Sequence, residues 1–313
     1  MSESSNQDSL IAVLPKPHST FVDAVRKGGG EVAALSDRTT GLIWLEYADS
    51  EGLATVLQQN PQLRWVQLPF AGVDAFAAVI DQFGDKVLFT SAKGAYAQPV
   101  AEHALALMLA LLRLVHERAR ATTWDPISRG TSLFGLTVVI VGAGGIALEL
   151  VRLLAPFRVR VIVVRRTAAP VAGVDRTVPV ADLDGALREA DVVVIAAAAT
   201  DKTDQLIGAK QFELMKSSAV LVNIARGRLI DTVALIEALR SNAIAGAGID
   251  VTDPEPLPDG HPLWDEPHVL ITPHSADTPE MTAPLLAARI TANVSAFLTG
   301  GTFIGSVDPE AGY

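Results

Sequence analysis

Residues 142–147 read Gly-Ala-Gly-Gly-Ile-Ala, a spacing that fits a turn cradling a dinucleotide pyrophosphate. Gly142 would permit the tight turn, and Gly144 would let the backbone close on the anion. Ala147 would keep the following helix near the sheet. N–H groups from Ala143, Gly144, Gly145 and Ile146 would then face the phosphates at a helix start. A structural glycine turn or a methyltransferase-type loop can use the same letters. The flanks favour the dinucleotide: an apolar run precedes the turn, and the amphipathic run 148–154 follows it. The next apolar run ends in Arg165-Arg166-Thr167. An NAD-selective site would carry an acid about 20 residues past the glycines, to bind the ribose hydroxyls. A guanidinium there instead grips a 2′-phosphate. The expected cofactor is therefore NADP(H), with NAD(H) still possible; the bland alternative is a solvated basic pair at a strand end.

Three later stretches, 222–231, 248–256 and 269–274, each begin apolar and turn polar at their ends. Ligands bind at the carboxyl ends of strands in open parallel sheets. Arg226, Glu255 and His274 are thus expected to converge on the crevice that holds the cofactor. His274 by itself reads more readily as a hydrogen-bonded structural histidine. Asp253 rivals Glu255 if the loop register differs. Asp231 is expected to cap a helix over 233–239. Arg228 reads as a surface residue, and His103 as structural or interfacial.

The elements that must position these groups alternate between short β-branched runs and helical stretches, the pattern of α/β proteins with parallel sheets. Strands are expected at 9–14, 31–35, 41–44, 63–68 and 87–90, with helices at 21–27, 50–59 and 73–81. One long helix is expected over 99–120, then an irregular segment containing Trp124 and Pro126. A second series of strands is expected at 136–141, 159–164, 192–197, 219–224, 245–251 and 269–272. A last helix is expected at 279–297. The fold class is α/β, with two Rossmann/flavodoxin-like parallel-sheet domains and an interdomain cleft. Residues 1–96 and 279–313 would form a substrate domain, and 97–278 a dinucleotide-binding domain.

Composition narrows the function classes. The 313-residue chain carries a formal net charge of −10, which disfavours nucleic acid and anionic membrane as partners. It has no cysteine, so thiol nucleophiles, zinc–thiolate sites and disulfides are excluded, and a reducing cytoplasm fits. No metal site is expected. Residues 1–9 are polar and carry no secretory pattern. Charge or glycine interrupts the apolar stretches before about 18 residues, so no membrane span is expected.

Taken in order, Ala71-Gly72-Val73-Asp74, Val100-Ala101-Glu102-His103, the glycine turn, 223–231, 250–256 and Thr272-Pro273-His274 span nearly the whole chain. Together they resemble the D-isomer-specific 2-hydroxyacid dehydrogenases, among which are glyoxylate/hydroxypyruvate reductases. The resemblance implies that His274 is the general acid that protonates a substrate carbonyl while hydride reaches the carbon, paired with Glu255. A nearby carboxylate favours imidazolium. It implies that Arg226 binds the substrate carboxylate, and that Asp250 and Ala225 contact the cofactor. It further implies that backbone N–H groups near Ala71 and Gly72 take the substrate carboxylate. Phe70 would then wall the pocket and limit substrate size. A homodimer built through the helix from Pro99 and the arm around Trp124 is the implied assembly. The chain departs from the family at Ser275-Ala276-Asp277 and at 196–199, which leaves the substrate identity open. A dinucleotide-sensing, corepressor-like protein of the same fold is the alternative from another functional class.

Overall fold

The computed structural model describes residues 10–47 and 49–308. The polar stretch 1–9, the first residue of the strand expected at 9–14 and the end of the tail lie outside the described residues. The chain divides into two compact units, one comprising residues up to Tyr96 together with those from Thr278, the other Ala97–Asp277.

The first unit contains, in chain order, β1 (Leu10–Leu14), α1 (Ser19–Lys27), β2 (Glu31–Val32), β3 (Thr39–Trp44), α2 (Ser50–Gln59), β4 (Trp65–Gln67), α3 (Ala77–Phe83) and β5 (Leu88–Thr90). Its five strands are all parallel, in the order β2-β1-β3-β4-β5. A continuous apolar run such as Leu-Ile-Ala-Val-Leu in β1 suits burial on both faces of a parallel sheet. The strand expected over 31–35 stops after two residues. A local turn takes over, in which Ser36 N–H donates to Thr39 Oγ1 at 3.0 Å and Thr39 N–H to Ser36 O at 3.0 Å.

The C-terminal helix, Pro279–Thr299, belongs to this unit. Thr278 caps it by accepting from Met281 N–H, Pro279 occupies the first turn, and Gly300 ends it at φ +69°. A Cβ added at Gly28 would lie 2.7 Å from Thr291 O, so α1 and this helix touch backbone to backbone. By length and composition alone this helix is apolar enough to cross a membrane, although Arg289 interrupts its apolar run. It is nonetheless packed as a core element: Leu286, Ile290, Val294 and Phe297 are buried, and buried Asn293 donates to Gln67 Oε1 at 2.8 Å.

The second unit contains α4 (Ala97–Leu112), α5 (Val115–Arg120), β6 (Thr137–Val141), α6 (Gly145–Leu154), β7 (Arg160–Arg165), β8 (Arg176–Pro179), α7 (Leu183–Glu189), β9 (Val192–Ile195), α8 (Ala209–Leu214), β10 (Val220–Asn223), α9 (Thr232–Arg240), β11 (Gly246–Ile249) and β12 (Val269–Ile271). Its seven strands are all parallel, in the order β12-β11-β10-β9-β6-β7-β8. The chain winds outward from β6 to β8, then returns beside β6 at β9 and winds the other way. This reversal is the topological switch point of a Rossmann-type sheet.

Two expectations need correction here. The helix over 99–120 is broken: Leu114 adopts φ +54°, so α4 and α5 are separate. Thr131 N–H donates to Leu112 O at 2.7 Å, satisfying a terminal carbonyl of α4 from a segment distant in sequence. β8 was not foreseen. Its Arg-Thr-Val-Pro sequence pairs along one edge only, where an apolar alternation is not required.

Candidate active site

The glycine turn sits at the switch point. Gly142 has φ +117°, and a Cβ there would lie 2.3 Å from Ala196 O. Only glycine fits that contact. Gly144 differs: its backbone is extended, at φ −79°, and a Cβ would meet nothing within 4 Å. Neither backbone shape nor protein packing therefore demands a glycine at 144. What its missing side chain preserves is open space over the start of α6, where Gly144 is the N-cap and the first N–H groups of the helix are unpaired within it. Ala147 is buried against the sheet. Gly142 N–H donates to Val164 O at 2.7 Å, which places the turn beside the end of β7, where Arg165, Arg166 and Thr167 follow. Arg165 Nη1 donates to Ala169 O at 3.3 Å, and Arg166 and Thr167 are exposed. Open backbone, helix N-terminus and adjacent guanidinium groups fit a phosphorylated dinucleotide.

The loops after β10 and β11 are locked together. A Cβ on Gly227 would lie 2.0 Å from Thr252 O, and Thr232 Oγ1 donates to Asp253 O at 2.9 Å. Buried Asn223 shapes the first loop: its Nδ2 donates to Arg226 O at 2.9 Å, and its Oδ1 accepts from Ala225 N–H at 3.1 Å. Arg226 is half-buried, with Nη1 donating to Ala225 O at 2.7 Å. Asp231 caps α9 through Val233 and Ala234 N–H groups, as its sequence position suggested. Arg228 faces Asp204 at 3.6 Å across partly exposed surface.

His274 Nδ1 lies 2.6 Å from Glu255 Oε1. The other Glu255 oxygen accepts from Thr252 N–H at 3.2 Å, so both carboxylate atoms are engaged. The loop register thus brings Glu255, not Asp253, to the imidazole. His274 has φ +48°, a left-handed conformation that is uncommon for a side-chain-bearing residue. Its N–H donates to Asp250 O at 2.7 Å.

Asp250 organises the segment. Its side chain is 1% exposed. Oδ1 accepts from Thr272 Oγ1 at 2.6 Å and from Ser275 N–H at 3.0 Å, and Oδ2 accepts from Ala276 N–H at 3.2 Å. Burial alone would raise its carboxyl pKa, but hydrogen bonds from His103, Thr272 and Ser275 outweigh burial and hold it below the usual carboxylate range. Asp277 goes the other way. Burial lifts its carboxyl above the usual range, and Asp250 adds to the rise while His274 opposes it.

In the first unit, Phe70, Ala71 and Gly72 follow β4. Phe70 O accepts from Ala92 N–H at 2.9 Å, and Tyr96 donates its hydroxyl to Pro69 O. These bonds turn the loop carbonyls inward. Phe70 is 42% exposed and packs edge-on to Tyr47, with ring centroids 4.7 Å apart. Sequence reasoning passed over Tyr47, the hydroxyl bond of Tyr96 to Pro69 O, and the structural work of Thr272 and Asn223. Only Asn223 and Thr272 carried a signal, as polar residues at strand ends.

The fold and the glycine turn define a dinucleotide-binding α/β protein. Residues 105–276 match the model of the D-isomer specific 2-hydroxyacid dehydrogenase, NAD binding domain. The chain is 33% identical over 297 residues to a glyoxylate/hydroxypyruvate reductase B of Escherichia fergusonii, covering 90% of this chain and 91% of the relative. It is 31% identical over 299 residues to a glyoxylate reductase of Aeropyrum pernix, covering 91% and 84%. A solved D-isomer specific 2-hydroxyacid dehydrogenase of Xanthobacter autotrophicus, in complex with NADPH and MES, superposes with a TM-score of 0.83 at 26% identity, covering 98% and 100%. The chain belongs to the D-isomer-specific 2-hydroxyacid dehydrogenases, nicotinamide-dinucleotide oxidoreductases acting on the CH–OH group of small 2-hydroxy acids.

Proposed function

We propose that this protein interconverts a small 2-keto acid and its D-2-hydroxy acid, in the manner of a glyoxylate/hydroxypyruvate reductase, with NADP(H) preferred over NAD(H). The observation that carries the reading is the 2.6 Å contact of His274 Nδ1 with Glu255 Oε1. An ionised carboxylate only accepts, so the proton in that bond resides on Nδ1. Nε2 then remains for proton transfer, and it has no hydrogen-bond partner among the described residues.

When bound, the reduced nicotinamide supplies the hydride. His274 gives its Nε2 proton to the carbonyl oxygen as negative charge develops there, and regains it from solvent. Glu255 holds the ring in one orientation by accepting from Nδ1. Arg226 binds the substrate carboxylate with its planar fork and polarises the neighbouring carbonyl. The first unit offers backbone N–H groups of Ala71 and Gly72 as donors to a substrate carboxylate, and Phe70 as a limit on the bulk of the substituent. The turn over 142–146 holds the pyrophosphate, with Ala225 and Asp250 nearby as cofactor contacts. Arg165, Arg166 and Thr167 receive the 2′-phosphate.

The names of the two curated relatives support the choice of glyoxylate and hydroxypyruvate as first substrates. The decisive experiment is a panel of 2-keto acids assayed with NADPH and NADH. Stoichiometric oxidation of NADPH with at least one small 2-keto acid is expected; no turnover across the panel overturns the reading. A homodimer is proposed through α4 and the arm that carries Trp124, which is 91% exposed. Sedimentation giving a single-chain mass at micromolar concentration would reject it.

A further inference from the structure

We propose that His103 is a positioning residue that fixes the orientation of His274 through Thr272 and Asp250. The proposal rests on the reading of His274 as the proton donor. It starts from an imidazole that the reaction as described leaves unused. His103 lies on α4, and its Nε2 is 2.9 Å from Thr272 Oγ1 and 3.4 Å from Asp250 Oδ1.

The direction of each bond follows from counting protons. Thr272 has one hydroxyl hydrogen, and the ionised Asp250 carboxylate has none to give. The 2.6 Å contact between them is therefore Thr272 donating to Asp250 Oδ1. With its hydrogen committed, Thr272 Oγ1 accepts from His103, so His103 Nε2 carries a proton. That same N–H leans toward Asp250 Oδ1. The low pKa of the Asp250 carboxyl agrees with an acceptor-only anion at the centre of the chain.

The far end of the chain reaches the residue proposed to do the chemistry. Asp250 accepts from the N–H groups of Ser275 and Ala276 through its carboxylate, and from His274 N–H through its backbone carbonyl. Three successive amides, 274 to 276, are thus gripped by one residue. His274 sits in the left-handed region at φ +48°, and such a backbone persists only where its surroundings over-determine it. Glu255 aims the ring, while Asp250 sets the backbone from which the ring projects. His103 and Thr272 set the rotamer of Asp250. Without the His103 donor, Thr272 is free to rotate its hydroxyl away, and Oδ1 loses its most closely held partner. A shift of a general acid by about 1 Å costs on the order of a hundredfold in rate.

The test reads the His274 ring directly, in the cofactor-free protein labelled with ¹⁵N-imidazole histidine and at one fixed pH. The His274 signals are assigned by their loss in His274→Ala. His103→Leu and the shape-conserving Thr272→Val should each displace the His274 ring resonances. His103→Gln, which keeps an amide N–H donor at similar reach, should return them toward the wild-type position. In turnover with NADPH, His103→Leu should lower kcat about ten- to a hundredfold, with the KM of the keto acid changed less than about threefold. His274 resonances that stay in place in both His103→Leu and Thr272→Val would overturn the proposal. So would equal effects of His103→Gln and His103→Leu, since the donor would then not matter. Turnover that survives His274→Ala would instead remove the general-acid reading and leave the resonance test standing.

Discussion

Glu255 Oε1 and His274 Nδ1 lie 2.6 Å apart, although 18 residues and a β-strand separate them along the chain. β11 and β12 run parallel and adjacent, so their following loops emerge at the same sheet edge. The carboxylate comes from the first loop and the imidazole from the second. Each anchors at its outer side: Glu255 on Thr252 N–H, His274 on Asp250 O.

If that pair performs the proton transfer, His274→Ala lowers turnover by about 10²–10⁴-fold, the usual size of a general-acid contribution. Cofactor affinity, followed by nicotinamide fluorescence, stays within about twofold, since the ring is assigned no role in holding the dinucleotide. Glu255→Gln keeps the shape and loses the anion, so its kcat should fall between wild type and His274→Ala.

The two glycines of the turn separate a folding requirement from a binding one. Gly142→Ala forces a Cβ to 2.3 Å from Ala196 O at φ +117°, and should destabilise the protein by about 1–3 kcal/mol or more. Gly144→Ala places its Cβ in open space, so its thermal midpoint should stay near that of wild type while NADPH binding weakens. Equal melting and equal cofactor affinity for wild type and Gly144→Ala would reject the pyrophosphate site.

Cofactor choice is assigned to the end of β7. Replacing both Arg165 and Arg166 by Ser should lower kcat/KM for NADPH about ten- to a hundredfold, the equivalent of one or two charge-assisted hydrogen bonds. The value for NADH should change far less. An unchanged NADPH to NADH ratio would make the pair a solvated surface feature.

Asp250 and Asp277 should give stability changes of opposite sign with pH. The folded-state pKa of Asp250 lies below its unfolded value. Its contribution is fully present above the unfolded pKa and is lost as pH falls through the folded one. Asp250→Asn should therefore be about 1–3 kcal/mol less stable than wild type near neutrality, with the gap closing in acid. Asp277 has a folded pKa raised by burial, so its favourable share exists below the unfolded value and is lost as pH rises through the folded one. Asp277→Asn should gain relative to wild type as pH rises. Denaturant titrations from the carboxylate range to pH 7 would show both trends.

Phe70→Ala should raise the rate on bulky keto acids relative to glyoxylate, because it removes the exposed ring that packs on Tyr47. Unchanged relative rates would remove Phe70 from the specificity pocket.

Much of this molecule was legible in its sequence because its signals are local. Apolar β-branched runs fixed where the strands lie, helix α2 falls on the expected 50–59, and Asp231 caps α9 as its position announced. The glycine spacing marked the turn without any coordinates, since φ +117° at Gly142 is a backbone demand that only one residue type meets cheaply. Tertiary structure decided what depends on contacts distant in the chain. It broke the helix at Leu114, where Thr131 reaches back to Leu112 O, and it turned edge residues 176–179 into a strand. It chose Glu255 over Asp253, because the locked contact of Gly227 with Thr252 sets the register of that loop. It also made His103 part of a chain reaching His274, which no spacing of 171 residues could announce. Propensity and pattern act over a few residues, whereas hydrogen-bond partners for buried polar groups exist only once the sheet has brought distant strand ends together.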